Sequence, residues 1–192
     1  MADITLWGFD GSTHVRTVKM LLAEKHVSNF KQIPLNVLKG EPKTSDHLAR
    51  HPFGKVPVLD HDGVRILETS AIVRYLNDVL PGPSLIPPTP QDRARMDMVI
   101  GTVDSYGYAA LLGGVAAYHL FPDFVGGQHD AARKAGIENG RKVLELAMRT
   151  VFFNVPSSYR ESDDRSSIRL WTAPCLWYGR TLVLSTAMES DA

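Results

Sequence analysis

Cysteine is almost absent from this sequence, because Cys175 is the only one among 192 residues. A single cysteine excludes an internal disulfide, a Cys-x-x-Cys redox pair and a thiolate cluster for structural zinc. The seven histidines show no ligand-type spacing such as His-x-x-x-His, so no metal is expected. These absences indicate a reducing compartment, and we expect a cytoplasmic protein.

An excess of charge is also lacking, because 21 basic residues balance 21 acidic ones. Neither a nucleic-acid partner nor an anionic membrane surface is expected without a basic excess. The most apolar stretch, residues 106–121, is shorter than the roughly 20 residues that a membrane-spanning helix needs. Hydrophobic residues make up 44% of the chain, which is enough to bury the core of one or two domains.

Proline, by contrast, is concentrated in one place. The segment Pro81–Pro90 holds five of the twelve prolines and no charged residue. Such a stretch is typical of a connector between domains. We therefore predict a first domain over residues 1–80, a linker over 81–90 and a second domain over 91–192.

Hydrophobic periodicity predicts an α+β fold for the first domain. The expected order is strand, helix, strand, loop, two hairpin strands and helix, over Ile4–Gly8, Val15–Lys25, Phe30–Leu35, Lys39–Pro52, Val56–Asp60, Val64–Leu67 and Thr69–Val79. This is a βαβ unit followed by a ββα unit, with helices covering the sheet. Past the linker, the helical patterns Asp92–Tyr118 and Ala131–Thr150 predict an all-α domain.

Two motifs at close spacing carry the functional information. The first is His51-Pro-Phe-Gly-Lys-Val-Pro-Val-Leu-Asp60, and the second, Glu68-Thr-Ser-Ala-Ile, opens the last helix of the first domain. Together they resemble the glutathione-binding half of the cytosolic glutathione transferases, whose pattern is Asn-Pro-x-Gly-x-Val-Pro-x-Leu, a hairpin, and then Glu-Ser-x-Ala-Ile. His51 replaces the usual Asn, and Thr69 replaces the usual Ser. The resemblance runs from Leu6 to about Ala147 and implies a thioredoxin-like domain followed by an all-helical one.

The resemblance implies a binding site for glutathione. The bond between Val56 and Pro57 is cis in such folds, and the main-chain groups of Val56 pair with the cysteinyl unit of the tripeptide. The γ-glutamyl carboxylate is expected at the start of the following helix, where Thr69 adds a hydroxyl to the free N–H groups. Glu68 would then face the glutamyl ammonium group.

The same resemblance places Lys43 and Lys55 beside the glycyl carboxylate of glutathione. It also places Ser12 where the serine-type members (bacterial, phi and theta) hold the activating hydroxyl. A hydroxyl at a helix N-terminus donates to the glutathione thiolate and so lowers the pKa of the thiol without a general base. Thr13 is the alternative donor, and the alternative for Ser12 is a role as helix N-cap alone.

The implied activity is that of a glutathione transferase, which conjugates the glutathione thiolate to a hydrophobic electrophile, in a homodimeric protein. One alternative is a non-catalytic glutathione-binding or interaction module on the same fold. Another is a glutathione-dependent peroxidase, isomerase or dehalogenase. Four aromatic residues are candidates either for the electrophile pocket or for the core of the second domain: Tyr106, Tyr108, Tyr118 and Trp177.

The resemblance weakens after residue 150. Family members open a buried helix with Ser/Thr-x-Ala-Asp, whereas the matching stretch here, Ser166–Pro174, carries Arg169 in place of the Asp. The exchange removes a reciprocal capping bond and places a positive charge at a helix N-terminus, at an expected cost of about 1–2 kcal/mol. We therefore expect a shortened second domain of reduced stability.

Overall fold

A computed structural model describes the backbone of residues 3–117 and 130–153, with side chains through residue 150. The chain divides into two compact units, residues 1–86 and 87–192. Of the expectations above, those that concern Tyr118, Trp177 and the segment Ser166–Pro174 lie outside the described residues.

The first unit is built on a four-stranded sheet. Its elements are β1 (Ile4–Trp7), α1 (Thr13–Glu24), β2 (Lys31–Ile33), a 3₁₀ turn (Glu41–Lys43), α2 (Ser45–Leu48), β3 (Val58–His61), β4 (Val64–Leu67) and α3 (Thr69–Val79). The strand order is β2-β1-β3-β4, with β1 and β2 parallel and the other pairs antiparallel. This is the thioredoxin-like arrangement that was predicted, a βαβ unit followed by a ββα unit.

Alternation in β1 and helical spacing in α1 and α3 direct apolar side chains into one core. In β1, Ile4 and Leu6 are buried while Thr5 and Trp7 are half-buried. The helices contribute Val15, Val18, Leu21, Leu22, Ile72 and Leu76, each at most 4% exposed. Removal of these side chains from water is the main stabilising contribution to this unit.

Strand β1 ends at Trp7, one residue before its predicted end at Gly8. Two other predicted strands are also shorter than expected, and proline explains both differences. β2 was predicted over Phe30–Leu35 but ends at Ile33, where Pro34 follows. β3 was predicted from Val56 but begins at Val58, directly after Pro57. Proline has no N–H group to donate to a sheet ladder, so a strand cannot continue its pairing through it. The predicted loop Lys39–Pro52 also contains the 3₁₀ turn and the short helix α2.

From Pro90 onward, the described residues of the second unit are helical. Helix α4 (Pro90–Thr102) continues as a π-helical segment (Val103–Ala116), and α5 spans Asp130–Phe153. Pro90, which the sequence analysis assigned to the linker, is the first residue of α4, and Thr89 is the N-cap. Proline fits there because the first N–H groups of a helix have no partner within it.

The π-helical segment and α5 approach each other closely at glycine. A Cβ atom added to Gly114 would lie 2.9 Å from the Cα atom of Gly136. Apolar packing between α4, the π-helical segment and α5 comes from Val99, Val103, Val143 and Ala147. Of the candidate pocket residues, Tyr106 is 67% exposed and Tyr108 is half-buried. Among the helices that the structure describes, none combines the length and the apolar character needed to cross a bilayer.

Candidate functional site

The strand register brings three predicted segments to one edge of the sheet. Trp7, the last residue of β1, pairs with Val58, the first residue of β3. Val58 in turn pairs with Leu67, the last residue of β4. The loop after β1, the segment before β3 and the turn after β4 therefore emerge side by side. These segments carry the predicted site residues Ser12, Val56, Pro57, Glu68 and Thr69.

Ser12 is the N-cap of α1. Its backbone is extended, with φ −78° and ψ 124°, and its Oγ accepts a hydrogen bond from the Val15 N–H at 3.4 Å. This bond uses the oxygen as acceptor, so the Ser12 hydroxyl hydrogen can still be donated. Thr13 differs, because its side chain is only 8% exposed and its Oγ1 has no hydrogen-bond partner within the described chain. Both hydroxyls thus lie at the N-terminus of α1.

Side chains from β2 and α1 hold the loop that carries Ser12. The Gln32 amide donates to the Gly8 carbonyl and to the Asp10 carboxylate, both at 2.9 Å. Lys19 donates to the same carboxylate at 2.7 Å. These bonds, that from Lys19 most strongly, hold the pKa of Asp10 below its ordinary value. The loop is therefore tied to both neighbouring elements.

The segment before β3 presents a free main-chain pair. The bond between Val56 and Pro57 is cis. Across residues 3–117 and 130–153, neither the N–H nor the C=O of Val56 has a hydrogen-bond partner. Gly8 lies against this segment at φ +145°, and a Cβ atom there would lie 3.3 Å from the Val56 Cβ and would clash with Val15. Only glycine therefore fits where the two segments meet.

The start of α3 is open. Glu68 is the N-cap with φ +66°, and its side chain makes no capping hydrogen bond to the first turn, which begins at Thr69. The first N–H groups of a helix have no partner within it, and together with the helix dipole they form a site for an anion. Thr69 is half-buried, and the Glu68 side chain is 73% exposed.

His51 connects the segment before β3 to the start of α3. Its ring is only 2% exposed, its Nδ1 accepts from the Phe53 N–H at 3.2 Å, and its Nε2 lies 3.8 Å from Oε1 of Glu68. Burial lowers the pKa of His51, and the Glu68 carboxylate opposes this shift in part. Sequence reasoning treated His51 only as a replacement for Asn; that departure from the motif was the signal for this contact.

The two predicted lysines, Lys43 and Lys55, flank the turn formed by residues 51–54. Lys43 is exposed and donates from Nζ to the Phe53 carbonyl at 2.9 Å. Lys55 is exposed, and its carbonyl accepts from Nε2 of the buried His47 at 2.8 Å. Gly54, at φ +56°, lies between them, where a Cβ atom would approach the Lys43 side chain to 2.9 Å. Among the described residues, no group of three His, Cys, Asp or Glu side chains could hold a metal ion.

Comparison with known proteins finds similar proteins for this arrangement. The family described as "Glutathione S-transferase, N-terminal domain" matches residues 2–78. Residues 2–78 therefore form a glutathione S-transferase N-terminal domain. The match covers the sheet, α1, α3 and the predicted site residues.

Two curated relatives match the chain over the same domain. Maleylacetoacetate isomerase of Rhizobium meliloti is 37% identical over 90 residues, which are 47% of this chain and 40% of that protein. Glutathione S-transferase F10 of Arabidopsis thaliana is 37% identical over 78 residues, which are 40% of this chain and 36% of that protein. The matches thus span about two fifths of the curated relatives' length.

Solved structures match over more of the chain. Glutathione transferase F2 from Populus trichocarpa is 26% identical, with a TM-score of 0.71 over 94% of this chain and 82% of that one. A glutathione S-transferase domain-containing protein from Marinobacter aquaeolei is 25% identical, with a TM-score of 0.69 over 93% and 87%. Ure2p, solved in complex with glutathione, shares the fold at 18% identity and a TM-score of 0.71 over 93% and 80%.

Proposed function

We propose that this protein is a glutathione transferase that joins the glutathione sulfur to a hydrophobic electrophile. One observation carries the proposal: a hydroxyl at a helix start, a free main-chain pair and an open helix N-terminus meet at one sheet edge. These are Ser12, Val56 and Thr69. Each matches one chemical group of glutathione, namely the thiol, the cysteinyl main chain and the γ-glutamyl carboxylate.

In the proposed complex the tripeptide extends along the site. The Val56 N–H and C=O pair with the cysteinyl unit as an added strand would, on the main chain that leads into Pro57. The first N–H groups of α3 and the Thr69 hydroxyl bind the γ-glutamyl carboxylate, and Glu68 binds the adjacent ammonium. Lys43 and Lys55 bind the glycyl carboxylate, since an ammonium group has three donors and Lys43 uses one on Phe53.

The proposed chemistry needs a thiolate, because the thiol is a weak nucleophile at neutral pH. Ser12 donates its hydroxyl hydrogen to the sulfur, and the N-terminus of α1 adds a favourable dipole. The thiol proton leaves to solvent, and the thiolate forms a carbon–sulfur bond in one of two ways. It displaces a leaving group, which departs with the bonding electron pair, or it adds to a double bond, whose displaced electron pair takes a proton from solvent. Thr13, whose buried hydroxyl has no partner in the described chain, is the second candidate for this donor.

A glutathione-dependent isomerase is the second candidate function, because two of the relatives are maleylacetoacetate isomerases. In such a reaction the thiolate would add to a conjugated double bond, the new single bond would rotate, and elimination would return glutathione unchanged. The glutathione site proposed above would serve both reactions.

We also propose that the protein is a homodimer. Analytical ultracentrifugation of the full chain would measure this oligomeric state.

The test compares wild type with Ser12→Ala and Thr13→Val. Calorimetry measures glutathione binding, and absorbance measures conjugation to an aryl halide and isomerisation of a cis-configured conjugated diketo acid. We expect wild type to bind glutathione and conjugate it, Ser12→Ala to bind but lose rate, and Thr13→Val to retain rate. Isomerisation without conjugation would favour the second candidate. Binding without either reaction would favour a non-catalytic module, and no binding would overturn the proposal.

A further inference from the structure

We propose that His51 is a positioning residue that orients the Glu68 carboxylate toward the ammonium group of the γ-glutamyl unit. The inference rests on the proposed function, because it assumes that glutathione binds at this site. It gives a role to His51, which stands where the family motif has Asn.

The main chain holds the His51 ring in a fixed place. The His51 N–H donates to the His47 carbonyl at 2.8 Å, which ties it to the end of α2. The His51 carbonyl accepts from the Gly54 N–H at 2.8 Å, which closes the turn that leads to Val56. With only 2% of the residue exposed, the imidazole is packed on all sides and cannot follow solvent-driven motion of its neighbours.

The hydrogen bonds of the ring determine its tautomer. The Phe53 N–H is a donor, so the Nδ1 atom that it contacts at 3.2 Å must be unprotonated. Burial lowers the pKa of His51 and favours the neutral ring, and nearby His47 and Lys55 act in the same direction, whereas Glu68 opposes them. A neutral ring with a bare Nδ1 carries its hydrogen on Nε2, the atom that faces Glu68.

Glu68 needs such a partner. Its side chain is 73% exposed, and the buried His51 ring lies 3.8 Å from its carboxylate. A free glutamate samples many rotamers, and ordering it on binding costs conformational entropy. The Nε2–H group at 3.8 Å presents a positive dipole end to Oε1, and so favours the rotamers that keep the carboxylate beside the open start of α3.

Two substitutions of His51 distinguish the contribution of Nδ1 from that of Nε2. In His51→Asn the shorter amide oxygen can replace Nδ1 as acceptor for the Phe53 N–H, but nothing reaches the position of Nε2. In His51→Gln the longer amide N–H can replace Nε2–H toward Glu68, but the acceptor for Phe53 is lost. Glu68→Gln removes the carboxylate charge itself, and thermal unfolding checks that each variant folds.

Two ligands isolate the ammonium group. S-methylglutathione carries it, and an analogue with a glutaryl group in place of the γ-glutamyl group lacks it but keeps both carboxylates. Calorimetry on the full chain measures Kd for each ligand. We expect wild type to prefer S-methylglutathione, and His51→Asn to weaken its binding about threefold to fivefold, the size of an exposed charge interaction, without weakening that of the analogue. His51→Gln should keep the wild-type preference, and His51→Asn should add no further loss to Glu68→Gln.

Several outcomes would overturn this role. An equal loss of affinity for both ligands in His51→Asn would show that the residue is merely structural. No loss of affinity for either ligand would show that His51 does not position Glu68. If wild type binds both ligands with equal affinity, Glu68 does not contribute to binding of the ammonium group. The inference then fails, while the proposed function stands. If wild type binds neither, the proposed function fails with it. Should His51→Asn not fold, the NMR spectrum of ¹⁵N-histidine in wild type decides, since a hydrogen on Nδ1 of His51 contradicts the proposal.

Discussion

Lys25, at the end of α1, donates a hydrogen bond from its ammonium group to the main-chain carbonyl of Asn77 in the last turn of α3, at 2.9 Å. Lys25 is only 4% exposed, which is unusual for a lysine, because burial of a charge is costly without a partner. The last carbonyls of a helix have no partner within it and form the negative end of its dipole. The lysine therefore caps the C-terminal end of α3 and links α1 to α3.

We expect Lys25→Met to lower the free energy of unfolding by about 1–2 kcal/mol, because the methionine fills the space but leaves the Asn77 carbonyl without its donor. Urea unfolding followed by circular dichroism measures this. Lys31→Met is the matched control, since Lys31 is exposed in β2, and its unfolding should change by less than about 0.5 kcal/mol. Equal effects of the two substitutions would contradict the role given to Lys25.

Ser12 combines an observed cap with a proposed donor, and a second cap in the chain separates the two roles. Thr89 caps α4 in the same way, with its Oγ1 accepting from the Asp92 N–H at 3.1 Å. Ser12→Ala and Thr89→Ala should each cost about 1 kcal/mol of stability. Only Ser12→Ala should slow conjugation at saturating glutathione. Thermal unfolding is measured on the same samples. An equal loss of rate in both variants would show that Ser12 acts only as a helix cap.

Asp60 makes stability depend on pH in a definite direction. Its carboxylate accepts from Arg65 at 2.7 and 3.0 Å and from the Trp7 indole at 2.8 Å, and these partners, Arg65 first, hold the pKa of Asp60 below its ordinary value. A carboxyl group with a lowered pKa in the folded state stabilises the fold above its unfolded pKa, near 3.9, and loses that effect as pH falls through its folded pKa.

Asp60→Asn should therefore destabilise the protein most at neutral pH, and the difference from wild type should shrink as pH falls below about 4. Urea unfolding at a series of pH values between about 3 and 7 checks the trend. Asp78→Asn serves as the control, since Asp78 is exposed and accepts a hydrogen bond from the neighbouring Asn77 amide. A difference for Asp60→Asn that stays constant or grows on acidification would show that the ion pair is not its source.

Gly8 and Gly63 both have positive φ, but only Gly8 is enclosed. A Cβ atom at Gly63, φ +82°, would meet nothing within 4 Å, whereas one at Gly8 would clash with Val15 and press on Val56. Gly63→Ala should cost about 1 kcal/mol, from backbone conformation alone. Gly8→Ala should cost about 3 kcal/mol or more, because a clash is added, and should also weaken glutathione binding. Thermal unfolding and calorimetry on both variants test this; similar results would contradict the close approach.

Several elements were predictable because local patterns specify them. The burial of Val15, Val18, Leu21 and Leu22 in α1 follows from helical spacing, and α3 begins and ends where its pattern does. The end of β2 before Pro34 was also visible in the sequence, because proline interrupts a sheet ladder, although the strand was predicted to continue to Leu35. Helix α2 was missed because its four residues, of which only Leu48 is apolar, are too few to show a period.

The sequence by itself determined the order of the four strands and of the longer helices, the face of each core helix and the two motifs that match the glutathione S-transferase pattern, because each depends on residues close together in the chain. Only the tertiary structure decided that Ser12, Val56 and Thr69 share an edge, because the pairing of Trp7 with Val58 and of Val58 with Leu67 joins distant segments. It also decided the tautomer of His51 and its contact with Glu68, since both depend on which groups surround a buried ring.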